Sequence, residues 1–165
     1  ATGNIILTTQ HAGIPDISYK DLRNYFNENT VKPTTQNVRE AVLLIRTSKF
    51  PDLNQYGCAG SCFKNPIISA SDLELLKKDY RDLPHYGMDD GMYKIPLAWI
   101  LDKGTSWKGV RRGGVGVSKK QSLVLIHYGK SNARELKKLS DDIISSVTKT
   151  TNVPIETEIS FVGNF

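Results

Sequence analysis

Residues 57–66 read GCAGSCFKNP, from Gly57 through Ser61 to Pro66. Four of the ten are Gly, Ala or Pro, which suits a tight backbone more than a packing surface. Ser61 directly follows Gly60, so the chain can turn sharply there and present a hydroxyl. Asn65-Pro66 stops whatever begins at Cys62, because a residue before proline is pushed out of the helical region. Helix-like segments flank the stretch. It reads as a loop able to carry function or, equally, as a polar connection between two helices.

Working outward toward the N-terminus, Thr34 or Thr35 opens a helix with Val38, Ala41, Val42 and Ile45 on one stripe and Arg39, Glu40 and Arg46 off it. That helix ends near Ser48, since Pro51 follows. Lys49 falls at or past its C-terminus, where the helix dipole alone favours a cation. Further back, Ser18 can cap YKDLRNYFN, with Leu22, Tyr25 and Phe26 on one face. NIILTT at 4–9 is strand material.

Toward the C-terminus, Ser69 and Asp72 form a capping-box variant ahead of Leu73, Leu76 and Tyr80. Residues 84–91 are irregular. Pro96 fits a first helical turn, followed by Leu97, Trp99, Ile100 and Leu101 in a short buried helix that ends before Gly104. Arg112 to Val117 is strand material broken by glycine, and SLVLIHY at 122–128 is a buried strand. Ser131 or Asn132 caps the longest helix, with Leu136, Leu139, Ile143 and Val147 in line. IETEISFV at 155–162 alternates, with Ile155, Thr157, Ile159 and Phe161 on one face and Glu156, Glu158 and Ser160 on the other. Helices and strands mix without regular βαβ alternation, so the class is α+β.

The 165 residues suit one compact domain with a core of its own. No apolar run approaches a membrane span of roughly 20 residues. The N-terminus lacks the basic region and long apolar core of a signal peptide, and the chain reads as starting inside a longer protein. Net charge is +5, and residues 103–120 hold six basic side chains (Lys103, Lys108, Arg111, Arg112, Lys119, Lys120) and no acid. Such a block attracts polyanions: nucleic acid, a nucleotide diphosphate, or nothing beyond solvent. Two cysteines, Cys58 and Cys62, make neither a zinc set nor a secreted disulfide scaffold, which fits a reducing cytoplasm. His11, His85 and His127 are scattered, so no metal site is expected.

Residues 127–131, HYGKS, imitate a phosphate loop but fail, since Val124 stands where the motif needs glycine. RRGG at 111–114 is a single copy of an arginine–glycine element. No dinucleotide-binding glycine fingerprint occurs. What remains is Ser61 on a glycine turn and Glu158 on a polar strand face. The ordinary alternatives are a turn serine for Ser61 and a solvated strand residue for Glu158, and pattern alone favours the latter for Glu158. They could work as a pair only if the fold joins them.

Six ordered blocks carry a resemblance: ISYKDL at 17–22, VREAVLLIRTSKFPD at 38–52, AGSCFKNPIIS at 59–69, IPLAWILDK at 95–103, WKGVRRGGVGVSKKQSLVLI at 107–126 and PIETEISFVG at 154–163. Together they resemble the C-terminal part of the UDP-N-acetylenolpyruvoylglucosamine reductase family, type I-like, flavoenzymes of peptidoglycan synthesis. The resemblance implies a small mixed sheet with helices packed on it. Residues 1–17 would be a strand and linker from an upstream FAD-binding domain absent from this chain. Residues 18–165 would be the substrate-binding C-terminal domain.

It further implies reduction of the enolpyruvyl ether of UDP-N-acetylglucosamine to UDP-N-acetylmuramate, with NADPH reducing FAD. Ser61 would be the proton donor and Glu158 the catalytic glutamate, although the usual Glu-Pro-Glu is here Glu156-Thr157-Glu158. Lys49, Asn65, Tyr86, Lys108 and Gln121 would hold the UDP-sugar. The basic block would then meet a diphosphate and not nucleic acid. Cys62, where bulkier residues are common, is a small hydrophobe or a competing nucleophile. On this reading the chain is a cytoplasmic monomer with no membrane association. By itself it neither binds FAD tightly nor turns over. The alternative is a stand-alone nucleotide-sugar or nucleic-acid binding module.

Overall fold

A computed structural model describes residues 15–164, so the strand expected at 4–9 lies outside the described residues. The chain forms two compact units, one up to Ser48 and one from Lys49 onward. The first holds helix α1 (Lys20–Asn29) and all but the end of α2 (Thr35–Lys49). Leu22, Phe26 and Ala41 form its small core, with Ile17, Tyr25, Val38 and Ile45 packed around them. Thr34 caps α2 by accepting from the Asn37 amide at 3.2 Å. Val42, placed on the apolar stripe by spacing, is instead 36% exposed. Ser18 does not cap α1. The cap position falls on Tyr19, and the Ser18 amide donates to the Asp16 carboxylate at 2.8 Å, which holds that acid below its usual range.

The second unit contains β1 (Ile67–Ile68), α3 (Ala70–Asp79), β2 (Tyr86–Gly87), β3 (Tyr93–Lys94), α4 (Leu97–Trp99), a π turn (Ile100–Gly104), β4 (Arg111–Arg112), β5 (Val115–Val117), β6 (Leu125–His127) and α5 (Ala133–Thr151). The class is α+β as expected. The strands do not make one mixed sheet but two antiparallel three-stranded ones, in the orders β1-β3-β2 and β4-β5-β6. The glycines at 113–114 do not interrupt a strand. They turn β4 back on β5 as a hairpin, pairing Arg112 with Val115. Ser69 caps α3 through the Asp72 amide, and Asn132 caps α5 through the Glu135 amide. Leu139, Ile143 and Val147 on α5 pack into one core with Phe63, Ile95, Leu97, Ile100, Leu101 and Val117.

The short buried helix expected after Pro96 continues through Gly104, as one α turn passing into the π turn. Strand β6 is shorter than SLVLIHY suggested. The Val124 amide bonds back to the Gln121 carbonyl at 3.0 Å, and the Ser122 hydroxyl donates to the Ala98 carbonyl at 3.2 Å. That turn uses up the first part of the stretch.

Candidate functional site

The stretch 57–66 is neither a helix linker nor a free loop. It runs extended along β6, with Gly57 opposite His127 and Ser61 opposite Val124, both antiparallel. Four steps on one side face three on the other, so one extra residue must bulge. Gly60 absorbs it at φ +88°, a conformation that side-chain-bearing residues adopt at a cost. The Cys58 sulfur accepts from the Gly60 amide at 3.2 Å and steadies the bulge.

The opposite edge of the same stretch takes the closing segment. The Cys62 amide donates to the Leu123 carbonyl at 2.8 Å, and the Cys62 carbonyl accepts from the Glu158 amide at 2.8 Å. The Lys64 amide donates to the Glu156 carbonyl at 3.1 Å, and Phe63 faces Thr157. The closing segment is therefore a paired edge, although it forms no regular strand. Its alternation survives as burial: Ile155 is buried, while Glu156, Glu158 and Ser160 are exposed. Ser61 and Glu158, far apart in sequence, thus meet on neighbouring backbones, with Glu158 opposite the residue after Ser61.

The two glutamates have different surroundings. Glu156 pairs with Lys64 at 3.0 Å, whereas the Glu158 carboxylate makes no hydrogen bond or ion pair among the described residues. Nor does the partly buried Ser61 hydroxyl. Cys62 is fully buried, and burial pushes its thiol up to about 11, partly offset by the nearby Ser140 hydroxyl and raised further by Cys58. Ser140 itself makes no geometrically complete hydrogen bond. The Cys62 thiol therefore stays protonated near neutrality and acts as a small hydrophobe, not a nucleophile.

The other residues singled out in the sequence surround this ladder. The Asn65 side-chain oxygen accepts from the Leu97 amide at 2.9 Å, supplying the cap that Pro96 cannot give α4. Tyr86 is 63% exposed on β2, which pairs with Lys94 on β3, which in turn pairs with Ile67. At about 4.8 Å per strand, that backbone lies roughly 10 Å from β1, which starts two residues after Asn65. Lys120 donates to the Phe50 carbonyl at 3.4 Å, bringing the neighbours of Lys49 and Gln121 together. Lys108 pairs with Asp102 on the π turn at 2.5 Å. Asp102 was not singled out by pattern, since nothing in the spacing links it to Lys108.

Much of the basic block is engaged within the fold. Arg111 donates to the Gly113 carbonyl at 3.0 Å and lies 4.2 Å from the Tyr128 ring centroid. Arg112 pairs with Asp142 at 2.5 Å and lies 4.8 Å from the Trp107 ring centroid. An apolar cavity of about 310 Å³ backs the stretch, bounded by Gly57, Cys58, Leu125, His127, Leu136 and Ile159. None of the seven site residues proposed from sequence lines it. The His127 Nδ1 accepts from the Gly129 amide at 3.2 Å, so its Nε2–H donates to the Ser131 carbonyl at 3.0 Å. Among the described residues no group of acids, histidines and cysteines could hold a metal, and no helix is long and apolar enough to cross a membrane.

Fold and site together define an α+β domain that joins a serine on a glycine-bulged strand to an acidic closing segment. Residues 52–162 match the family model for the UDP-N-acetylenolpyruvoylglucosamine reductase C-terminal domain, and the chain belongs to that family. It is 35% identical to the UDP-N-acetylenolpyruvoylglucosamine reductase of Porphyromonas gingivalis over 88% of this chain and 43% of that protein. The reductase of the same name from Pseudomonas aeruginosa is 36% identical, over 86% of this chain and 42% of the relative. That from Haemophilus ducreyi is 35% identical over 92% and 43%. The chain thus spans a little over two-fifths of the length of these curated relatives.

Proposed function

We propose that this chain is the substrate side of a UDP-N-acetylenolpyruvoylglucosamine reductase acting in peptidoglycan synthesis in the cytoplasm. It would bind the UDP-sugar and supply the proton donor. The observation that supports this most is the ladder joining Cys62 to Glu158, which brings together the backbones of a serine and a glutamate whose side chains have no partner among the described residues. In the whole protein, FAD reduced by NADPH would be the source of the hydride that reaches C3 of the enolpyruvyl group. The described residues offer two antiparallel sheets of two- and three-residue strands and no strand–glycine-loop–helix cradle for a dinucleotide.

Hydride addition at C3 leaves an electron pair at C2, delocalised into the adjoining carboxylate. Ser61 then donates its hydroxyl proton to C2, completing the lactyl ether. A serine hydroxyl is a weak acid, so it serves only a strongly basic centre held close to it. The Glu158 carboxyl stands on the backbone paired with the residue after Ser61, and a hydrogen bond between it and the substrate would help to stabilise the charge that develops. Lys49, Lys108 and Gln121 would hold the diphosphate and sugar, with Asn65 and Tyr86 flanking them.

The test is Ser61→Ala in the whole protein. NADPH should still reduce the flavin at the wild-type rate. Oxidation of that flavin by the enolpyruvyl substrate should slow by about 10²-fold or more, the usual weight of a positioned proton donor. Unchanged flavin reoxidation would remove Ser61 from this role.

A further inference from the structure

We propose that Asp102 is a positioning residue that fixes the Lys108 ammonium for a nucleoside diphosphate, an inference that rests on the substrate reading above. Lys108 occupies the first corner of a tight turn closed by the Val110 amide on the Trp107 carbonyl at 3.0 Å. Gly109 takes the second corner at φ +74°, as a type II turn requires. The backbone under Lys108 is therefore fixed. Its four-carbon stem is not, since lysine is a mobile point charge unless something holds it.

Asp102 supplies the hold. Its Oδ2 lies 2.5 Å from the Lys108 Nζ, with the two side chains 29% and 40% exposed. Its Oδ1 is buried and has no hydrogen-bond partner among the described residues. Among the described residues, Lys108 is thus the one group that pairs with this carboxylate. Asp102 is also carried rigidly. Ile100 and Leu101, just before it in the π turn, are almost completely buried, and the Thr105 hydroxyl ties the turn back to the Leu101 carbonyl at 3.1 Å. A π turn inserts one residue into the helical repeat and re-aims the side chains it carries.

A carboxylate near an anion site also repels the ligand, so the sign of its effect needs deciding. The Lys108 charge beside the carboxylate offsets that repulsion, and since both side chains are partly exposed, solvent and salt weaken it further. Freezing a lysine stem beforehand removes a larger ordering cost from binding. Asp102 therefore favours binding.

The experiment is calorimetric titration of the 165-residue chain with uridine diphosphate, for wild type, Asp102→Asn, Lys108→Ala and the double variant. Asp102→Asn should weaken binding about tenfold, and the double variant should bind no worse than Lys108→Ala alone. Equal or tighter binding by Asp102→Asn, or full additivity with Lys108→Ala, overturns the proposal. A second readout needs neither ligand nor a folded variant: the NMR order parameter of the Lys108 ammonium in the wild-type chain. It should be markedly more restrained than that of solvent lysines, and equal mobility overturns the proposal. If the chain binds no uridine diphosphate, the substrate reading fails, and ammonium mobility alone decides the role of Asp102.

Discussion

Gly60 sits at φ +88° with open space where a Cβ would stand, so substituting it costs backbone strain without a clash. Gly60→Ala should lower stability by about 1–2 kcal/mol, the price of a side chain in left-handed backbone. A urea midpoint equal to wild type would show that the bulge relaxes freely. At Cys62 the neutral thiol is what the fold prefers. Its folded value of about 11 lies above the ordinary value of 9.0, so the associated stability is complete below pH 9 and is lost as pH rises toward 11. The loss should be on the order of 2 kcal/mol and should be missing from Cys62→Ala. Thiol labelling of the native chain at pH 8 should modify Cys58 and spare Cys62 until denaturant is added. Prompt labelling of both would contradict the buried, protonated thiol.

Among the elements, α5 joins local and tertiary stability most directly. Asn132 accepts from the Glu135 amide at 3.0 Å, and Ser131 donates to the Glu135 carboxylate at 2.7 Å. Asn132→Ala should cost about 1 kcal/mol. Ile143 is fully buried at the middle of the helix, and Ile143→Ala should cost about 2–5 kcal/mol. Near-neutral effects in thermal unfolding would mean that α5 is not the anchor described. The helices were legible in the sequence because capping and the apolar repeat are local signals. The strands were less so. Residues 57–66 look like a loop by composition, yet they lie between β6 and the closing segment, because pairing partners far along the chain leave no mark on local pattern. The closing segment shows the reverse. Its alternation predicts which faces are buried, but only Thr157 forms a bridge, and the regular strand does not develop.

At the scale of the whole molecule, the family was legible from six ordered blocks, and the matched region 52–162 contains six of the seven proposed site residues. What spacing could not reveal was how those residues meet. Only the folded ladder sets Glu158 beside the Ser61 strand, and only the π turn sets Asp102 against Lys108. The charge block was legible as charge, but its arginines turn out to hold the hairpin to Tyr128, Trp107 and α5. The measurement that bears most directly on a substrate side for this chain is calorimetric titration with UDP-N-acetylmuramate at low and moderate salt, alongside Ser61→Ala and Lys108→Ala. Saturable binding that weakens with salt, falls about tenfold or more in Lys108→Ala and hardly changes in Ser61→Ala is the predicted result. Binding indifferent to Lys108→Ala, or stronger for unrelated polyanions than for the UDP-sugar, would contradict it.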